Sequence, residues 1–332
     1  MKFKGFTLDK FQEDSVKCID KGNSVVVSAA TGTGKTLIAD YIIDKYIYED
    51  KRIIYTAPIK ALSNQKYRDF KNEYGFSNIG IMTGDVVINP EAPVLIMTTE
   101  IYRNMLMTND PITQDISYVI FDEIHFINDR ERGRVWEESI IFSPENIRFL
   151  CLSATIPNAK EFASWIESIK KHEVDVVKYD KRAVPLRHFV YDKQMRVTKI
   201  KDLIQDQETP DYGYVRGKRK YRKKKIKPPR PYELINDIQD KLPCLFFVFS
   251  RAGCEKKAHY LSKKFSFLNN KQKAEVARIS SKIIPSEFRS MESVRRLKQV
   301  LPNGIAFHHS GLLPYSKELV EELFSKGLIK VL

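Results

Sequence analysis

The chain predicts an α/β protein of two tandem units with parallel sheets, the second incomplete. Three observations carry this expectation. Short apolar runs of strand length alternate with stretches of helical periodicity. The runs are apolar at successive positions, as strands covered on both faces are. The alternation also restarts after a segment rich in proline, glycine and basic residues.

The first run is Val25, Val26 and Val27. It is followed by Ile53, Ile54 and Tyr55, then Val94, Leu95 and Ile96, then residues 118–121 and 148–152. Helical spacing fills 59–74 and 99–107. The first unit is expected over 1–180. Residues 181–231 read as a connector, interrupted by Pro210, Gly213, Gly217, Pro228 and Pro229. The second unit is expected over 232–332. Its strands are 245–249, predicted to be buried, and 304–308; its helices include 252–264 and 320–324. Ile329 to Leu332 looks like the start of a further strand.

Composition removes several classes. A chain of 332 residues with 42% hydrophobic content can bury real cores, which excludes disorder throughout. The net charge is +14, yet ten lysines and arginines lie between Tyr214 and Arg230 with no acid among them. The basic character is therefore mostly local. Tyr212, Tyr214 and Tyr221 are interleaved there. The segment reads as an RNA-binding arm, a solvated tether or a nuclear-localisation signal. Cys18, Cys151, Cys244 and Cys254 form no C-x-x-C pair, so neither a zinc framework nor a redox pair is expected. Their use suits a reducing cytoplasm. No run approaches the length needed to span a membrane.

The chemistry concentrates at three strand ends. Residues 29–36 read Ala29, Ala30, Thr31, Gly32, Thr33, Gly34, Lys35 and Thr36, directly after the first strand. Leu37, Ile38, Tyr41 and Ile42 then follow helical spacing. Strand, glycine loop and helix N-terminus together make a phosphate cradle. Ala29 stands where the usual G-x-x-x-x-G-K-[ST] pattern has its first glycine. Lys35 is placed to reach the β- and γ-phosphates of ATP, and Thr36 to bind Mg2+. Asp122, Glu123, Ile124 and His125 end the strand 118–121. Asp122 would hold the metal, Glu123 would orient or deprotonate a water, and His125 would bond across to other motifs. Ser153, Ala154 and Thr155 end the next strand, as helix caps or as a coupling segment.

In this order and spacing, these segments resemble motifs one, two and three of superfamily-two helicases. Residues 57–65 and the sequence His308-His309-Ser310-Gly311-Leu312-Leu313-Pro314 are similar to the Ski-like DExH-box RNA helicases. The resemblance spans nearly all the chain except the basic segment. It implies two RecA-like domains, ATP with Mg2+ as cofactors, and catalytic roles for Lys35, Asp122, Glu123 and His125. It places Phe6 and Gln12 at the adenine. It also implies single-stranded nucleic-acid contacts from Pro58, Lys60, Thr83, Gly84, Asp85, Thr98, Thr99 and Glu100. Ser250, Arg251, His309 and Ser310 would contribute from the second unit. The segment from Arg130 to Trp136 looks like an extension of motif two, with no role assigned by the sequence. Motifs five and six of the family do not occur in the chain, so the resemblance implies weak turnover. RNA is the implied strand, with DNA left open. A DNA translocase and a non-catalytic binder are the alternative readings. A degradative nuclease partner, a monomeric core and no membrane association complete the expectation.

Overall fold

The computed structural model describes residues 1–49, 51–182, 184–192, 196–200 and 229–332. Most of the basic segment, with its three tyrosines, lies outside the described residues. Contacts divide the chain into two units, Met1–Leu186 and Arg187–Leu332.

The first unit opens with a hairpin, β1 (Lys2–Phe3) and β2 (Phe6–Thr7), and α1 (Lys10–Asp20). There follow β3 (Ser24–Ala29), α2 (Thr36–Tyr46), β4 (Arg52–Ala57), α3 (Lys60–Tyr74), β5 (Ile79–Met82) and β6 (Val87–Ile88). Next come β7 (Val94–Thr98), α4 (Thr99–Met107), β8 (Ile116–Phe121), α5 (Arg134–Phe142), β9 (Arg148–Ser153), α6 (Ala159–Lys170) and β10 (Val174–Tyr179). Eight strands form one sheet in the order β10-β3-β9-β8-β4-β7-β5-β6. Every pairing is parallel except β5 with β6. The five strands expected from the sequence are β3, β4, β7, β8 and β9, five adjacent strands of this sheet.

Strand alternation sorts their side chains into two cores. Val25, Val27, Tyr55, Ile120 and Leu150 belong to one hydrophobic cluster, which includes Phe11 of α1, Ile38 and Ile42 of α2 and Phe70 of α3. Val26, Ile54, Val119, Phe121 and Cys151 belong to the other, with Tyr102 of α4, Trp136 of α5 and Ile166 of α6. Each fully buried aliphatic side chain contributes about 1.5–3 kcal/mol. The two covered faces explain why these strands read as continuous apolar runs. Parallel register also sets Ala29, Ser153, Phe121, Ala57 and Thr98 along one edge of the sheet, where the next loops begin.

In the second unit, β11 (Phe189–Asp192) and β12 (Arg196–Lys199) form an antiparallel hairpin. Tyr191 and Arg196 both donate to Asp237 of α7 (Pro231–Asp237), at 2.8 and 2.9 Å. Part of the segment read as connector is thus structured. The helices α8 (Arg251–Ser262), α9 (Asn270–Ile283), α10 (Glu292–Val300) and α11 (Pro314–Ser325) surround a third core that includes Leu261, Ile279, Leu297, Phe307 and Leu319.

The expected strand at 245–249 is a correction. The segment forms no strand among the described residues: Phe246 N–H donates to Leu332 O at 2.7 Å, the preceding Cys244 makes an isolated parallel bridge to Val331, and Ile305 bridges Val331 from the other side. The end expected as a strand therefore lies between the other two segments. Leu245, Phe247 and Phe249 are exposed rather than buried, whereas Phe246 packs against the core. An apolar run on both faces implies cover on both faces, and here only alternate residues have it.

Asp40 on α2 carries a half-buried carboxyl whose Oδ1 has no hydrogen-bond partner among the described residues. Burial pushes its pKa up to about 6, from an ordinary 3.8. Burial thus favours the protonated form. The resulting penalty is absent below the unfolded value and grows as pH rises through about 4 to 6. Asp40→Asn should therefore stabilise the protein at pH 7.5 by up to roughly 3 kcal/mol. The difference should vanish near pH 4. Urea unfolding of both proteins across that range checks it; a pH-independent difference would remove the carboxyl as its cause.

Candidate nucleotide and nucleic-acid site

The phosphate-type loop joins β3 to α2 as expected. Gly32 and Gly34 have φ of +81° and +80°, where a side chain would be strained. Thr33 donates to the Ala30 carbonyl at 2.8 Å, closing the loop on itself, while Thr31 and Gly32 face solvent. Lys35 donates to the carbonyls of Ala29 (2.8 Å) and Ala30 (3.0 Å). Burial lowers its pKa, opposed by the carboxylates of Glu123 and Asp122. Those carboxylates act on it because β3 and β8 release their loops at the same edge.

Gln12 uses both ends of its amide. Its oxygen accepts from Asp9 N–H at 2.8 Å, and its nitrogen donates to Gly34 O at 3.0 Å. It thereby fixes α1 against the loop, and a Cβ on Gly34 would sit 3.0 Å from its Nε2. Phe6, expected at the adenine, is exposed on β2.

Asp122 is buried, and the Tyr55 hydroxyl donates to its Oδ2 at 2.5 Å. Burial first, and then Asp122, push the Tyr55 hydroxyl far above its ordinary pKa, so it stays a donor. Glu123 adopts a left-handed backbone, φ 55°, which turns the chain at the strand end. Its Oε2 lies 3.2 Å from His125 Nδ1. The two attract as charges when the imidazole is protonated, but their directions do not make a hydrogen bond, and among the described residues neither buried atom has a hydrogen-bond partner. The Ser153 hydroxyl is likewise buried without a hydrogen-bond partner among the described residues, while Ala154 is half-buried and Thr155 exposed. The neighbouring Ile156 N–H donates to Ser28 at 3.0 Å, tying the end of β9 to β3.

Two residues here were missed by sequence reasoning. Tyr55 lay inside an apolar run; its signal was a polar tip within a buried strand. Lys66 of α3 donates to the Thr36 hydroxyl at 3.1 Å and lies 5.8 Å from the centroid of the Tyr55 ring. An exposed-looking lysine on an amphipathic helix gives no such signal.

The residues expected on the nucleic-acid strand gather in two groups, one in each unit. In the first unit, Lys60 meets Asp85 at 2.5 Å and lies over Gly84. Pro58 O and the Glu100 carboxylate share Arg132. Thr83, Thr98 and Thr99 are buried, and Thr99 Oγ1 has no hydrogen-bond partner among the described residues. In the second unit, Ser250 caps α8 by accepting from Gly253 N–H at 3.1 Å. A Cβ on Gly311 would lie 3.3 Å from Arg251 Nη1. His309 Nδ1 accepts from Gly311 N–H at 3.2 Å, and its Nε2 pairs with Glu255 at 3.1 Å. Ser310 is exposed beside it.

A glycine loop opening a helix, with an acidic strand end on the same edge of a parallel sheet, is the arrangement of nucleotide-binding P-loop domains. More narrowly, residues 9–162 match the DEAD/DEAH box helicase family. Those residues thus form a DEAD/DEAH box helicase domain, and its sheet is of the RecA-like kind. It is 41% identical to a DExH-box ATP-dependent RNA helicase of Arabidopsis thaliana, DExH9, over 98% of this chain and 35% of that protein. The exosome RNA helicase MTR4 of Homo sapiens is 41% identical over 98% and 33%. The antiviral helicase SKI2 of Saccharomyces cerevisiae is 38% identical over 98% and 30%. The chain therefore spans about a third of the length of these relatives.

Replacing Tyr55 by Phe would leave the buried Asp122 carboxylate short of its donor. A lost hydrogen bond to a charged group costs about 1.5–3 kcal/mol. Urea unfolding should show that loss, and an unshifted midpoint would mean that Tyr55 does not hold Asp122.

Proposed function

We propose that the chain is the ATP-binding, RNA-gripping core of an ATP-dependent RNA helicase that works with Mg2+. The observation that carries the reading is the shared sheet edge. It sets the loop 30–36, the pair Asp122 and Glu123, Pro58 with Lys60, and Glu100 just beyond the ends of four strands, β3, β8, β4 and β7, of one parallel sheet.

The residues fit the proposed cofactors. Thr36 and Asp122 offer hard oxygen ligands of the kind Mg2+ takes, and Lys35 with the α2 N-terminus suits phosphate. When bound, Mg2+ and triphosphate supply a polarised phosphorus centre. Lys35 would exchange its two carbonyl contacts for phosphate oxygens. Glu123, with a carboxylate oxygen free of hydrogen bonds, would orient and deprotonate the attacking water. His125 and the Ser153 hydroxyl have unused hydrogen-bonding atoms and would carry nucleotide state to neighbouring segments. Residues 153–155 are the proposed coupling element. Phe6 would stack on adenine beside Gln12.

The choice of RNA over DNA rests on the names of the relatives, as does a degradative nuclease complex as partner. The backbone-type contacts of Lys60, Ser250, Arg251, His309 and Ser310 read no base edges. Among the described residues, no helix is long and apolar enough to cross a membrane.

Lys35→Ala should weaken binding of a fluorescent ATP analogue with Mg2+ by at least about tenfold, one charge-assisted contact or more. Glu123→Gln should keep that affinity and abolish RNA-stimulated phosphate release. Equal binding by Lys35→Ala and the unaltered protein would overturn the nucleotide assignment. Stimulation by single-stranded DNA above that by RNA, at one salt concentration, would overturn the RNA assignment.

A further inference from the structure

The segment from Arg130 to Trp136 had no role in the sequence, and the structure assigns it one: Arg132 is a positioning residue that holds the strand-gripping loops in register with the acidic loop after β8. Its guanidinium Nη2 donates to Pro58 O at 2.6 Å. Its Nε donates to Glu100 Oε1 at 3.1 Å, and Nη2 meets the same oxygen. Pro58 follows β4 and Glu100 opens α4 after β7, so one side chain joins three strand ends.

The turn that carries Arg132 is itself constrained. Asp129 Oδ1 accepts the backbone N–H groups of Glu131 and Arg132, each at 2.9 Å. Those two bonds hold its carboxyl below the usual range. Gly133 N–H returns to Asp129 O at 2.8 Å. A Cβ on Gly133 would lie 2.2 Å from Ile127 O and 2.6 Å from Asp129 O, so only glycine fits without moving backbone. On the far side, the guanidinium carbon stands 5.5 Å from the centroid of the buried Trp136 ring, which stacks on Phe126. Arg132 is thus anchored from the loop Ile124–Asn128, directly after Asp122 and Glu123. An arginine suits the post, because its planar fork can serve a carbonyl and a carboxylate together.

The consequence is a rigid path from the acidic pair to Pro58 and Glu100, independent of direct contact between Arg132 and the strand. The inference rests on the proposed RNA-gripping role of those loops. The test measures, for the 332-residue chain, affinity for a fluorescein-labelled single-stranded RNA, affinity for the ATP analogue, and amide exchange. Arg132→Gln should weaken RNA binding about tenfold and leave nucleotide affinity within about twofold. Exchange should rise in residues 59–63 and 99–103. Glu100→Gln, which cuts one of the two links from the other side, should weaken RNA binding by no more than Arg132→Gln does, and the double variant should lose no more than Arg132→Gln alone. If Arg132 instead touched RNA itself, Glu100→Gln would free it and leave RNA affinity unchanged or higher. That result, additive losses, or unchanged exchange would overturn the inference. Should the unaltered chain bind no RNA, the functional reading fails, while exchange in the two single variants still decides whether Arg132 holds the loops.

Discussion

Parallel strand pairing in one sheet buried on both faces is the constraint on which the rest depends. Because β3, β9, β8, β4 and β7 run the same way in register, their carboxyl ends form one edge. In the first unit the loop 30–36, Asp122 with Glu123, and residues 153–155 all lie at that edge. The hydrophobic content is therefore not separate from the site. Val25 to Val27 and residues 118–121 lock the register that brings Lys35 under the influence of Asp122 and Glu123. A one-residue slip would reverse which side chains meet each core and would move each loop by a residue.

On this frame, charge is arranged against desolvation. Lys35 is partly stripped of water, which favours its neutral form, while two carboxylates favour the ammonium. Asp122 receives the Tyr55 hydroxyl, and Lys66 sits at the Thr36 hydroxyl. By contrast, Glu123, His125 and Ser153 each hold a buried polar atom without a hydrogen bond among the described residues. Unpaired buried polar groups are costly, and their concentration around one strand edge is more readily explained by exchange with a ligand than by folding.

Most of the first unit was legible because its signals were periodic. Strands buried on both sides write continuous apolar runs, and Gly32, Gly34 and Lys35 sit where a tight turn meets a helix. What escaped was whatever depends on distant chain segments meeting. The Tyr55 to Asp122 bond spans 67 positions, and Arg132 to Pro58 spans 74. Neither separation leaves a local pattern. The second unit was misread at Leu245, Phe247 and Phe249 for a related reason. An apolar run reports what a residue could bury, whereas burial requires a neighbour over that face. The hairpin β11–β12 was read as connector because its hold on α7 comes through Asp237, far along the chain.

The contacts also bear on how an event at the phosphate edge can reach a bound strand. A ligand shifts a conformation only through residues whose contacts differ between states. The loop after β8 begins with the acidic pair and ends, a few residues on, in a turn fixed by Asp129 and Gly133. Such a turn transmits displacement instead of absorbing it, since its backbone bonds and the absence of space at Gly133 leave little freedom. Arg132 carries that displacement to a backbone carbonyl on one neighbour and a helix-opening carboxylate on the other. Lys60, two residues beyond Pro58, forms an exposed ion pair with Asp85 in the loop after β5. Asp122 and Glu123 thus open a loop whose later residues make polar contacts to the segments that follow β4 and β7.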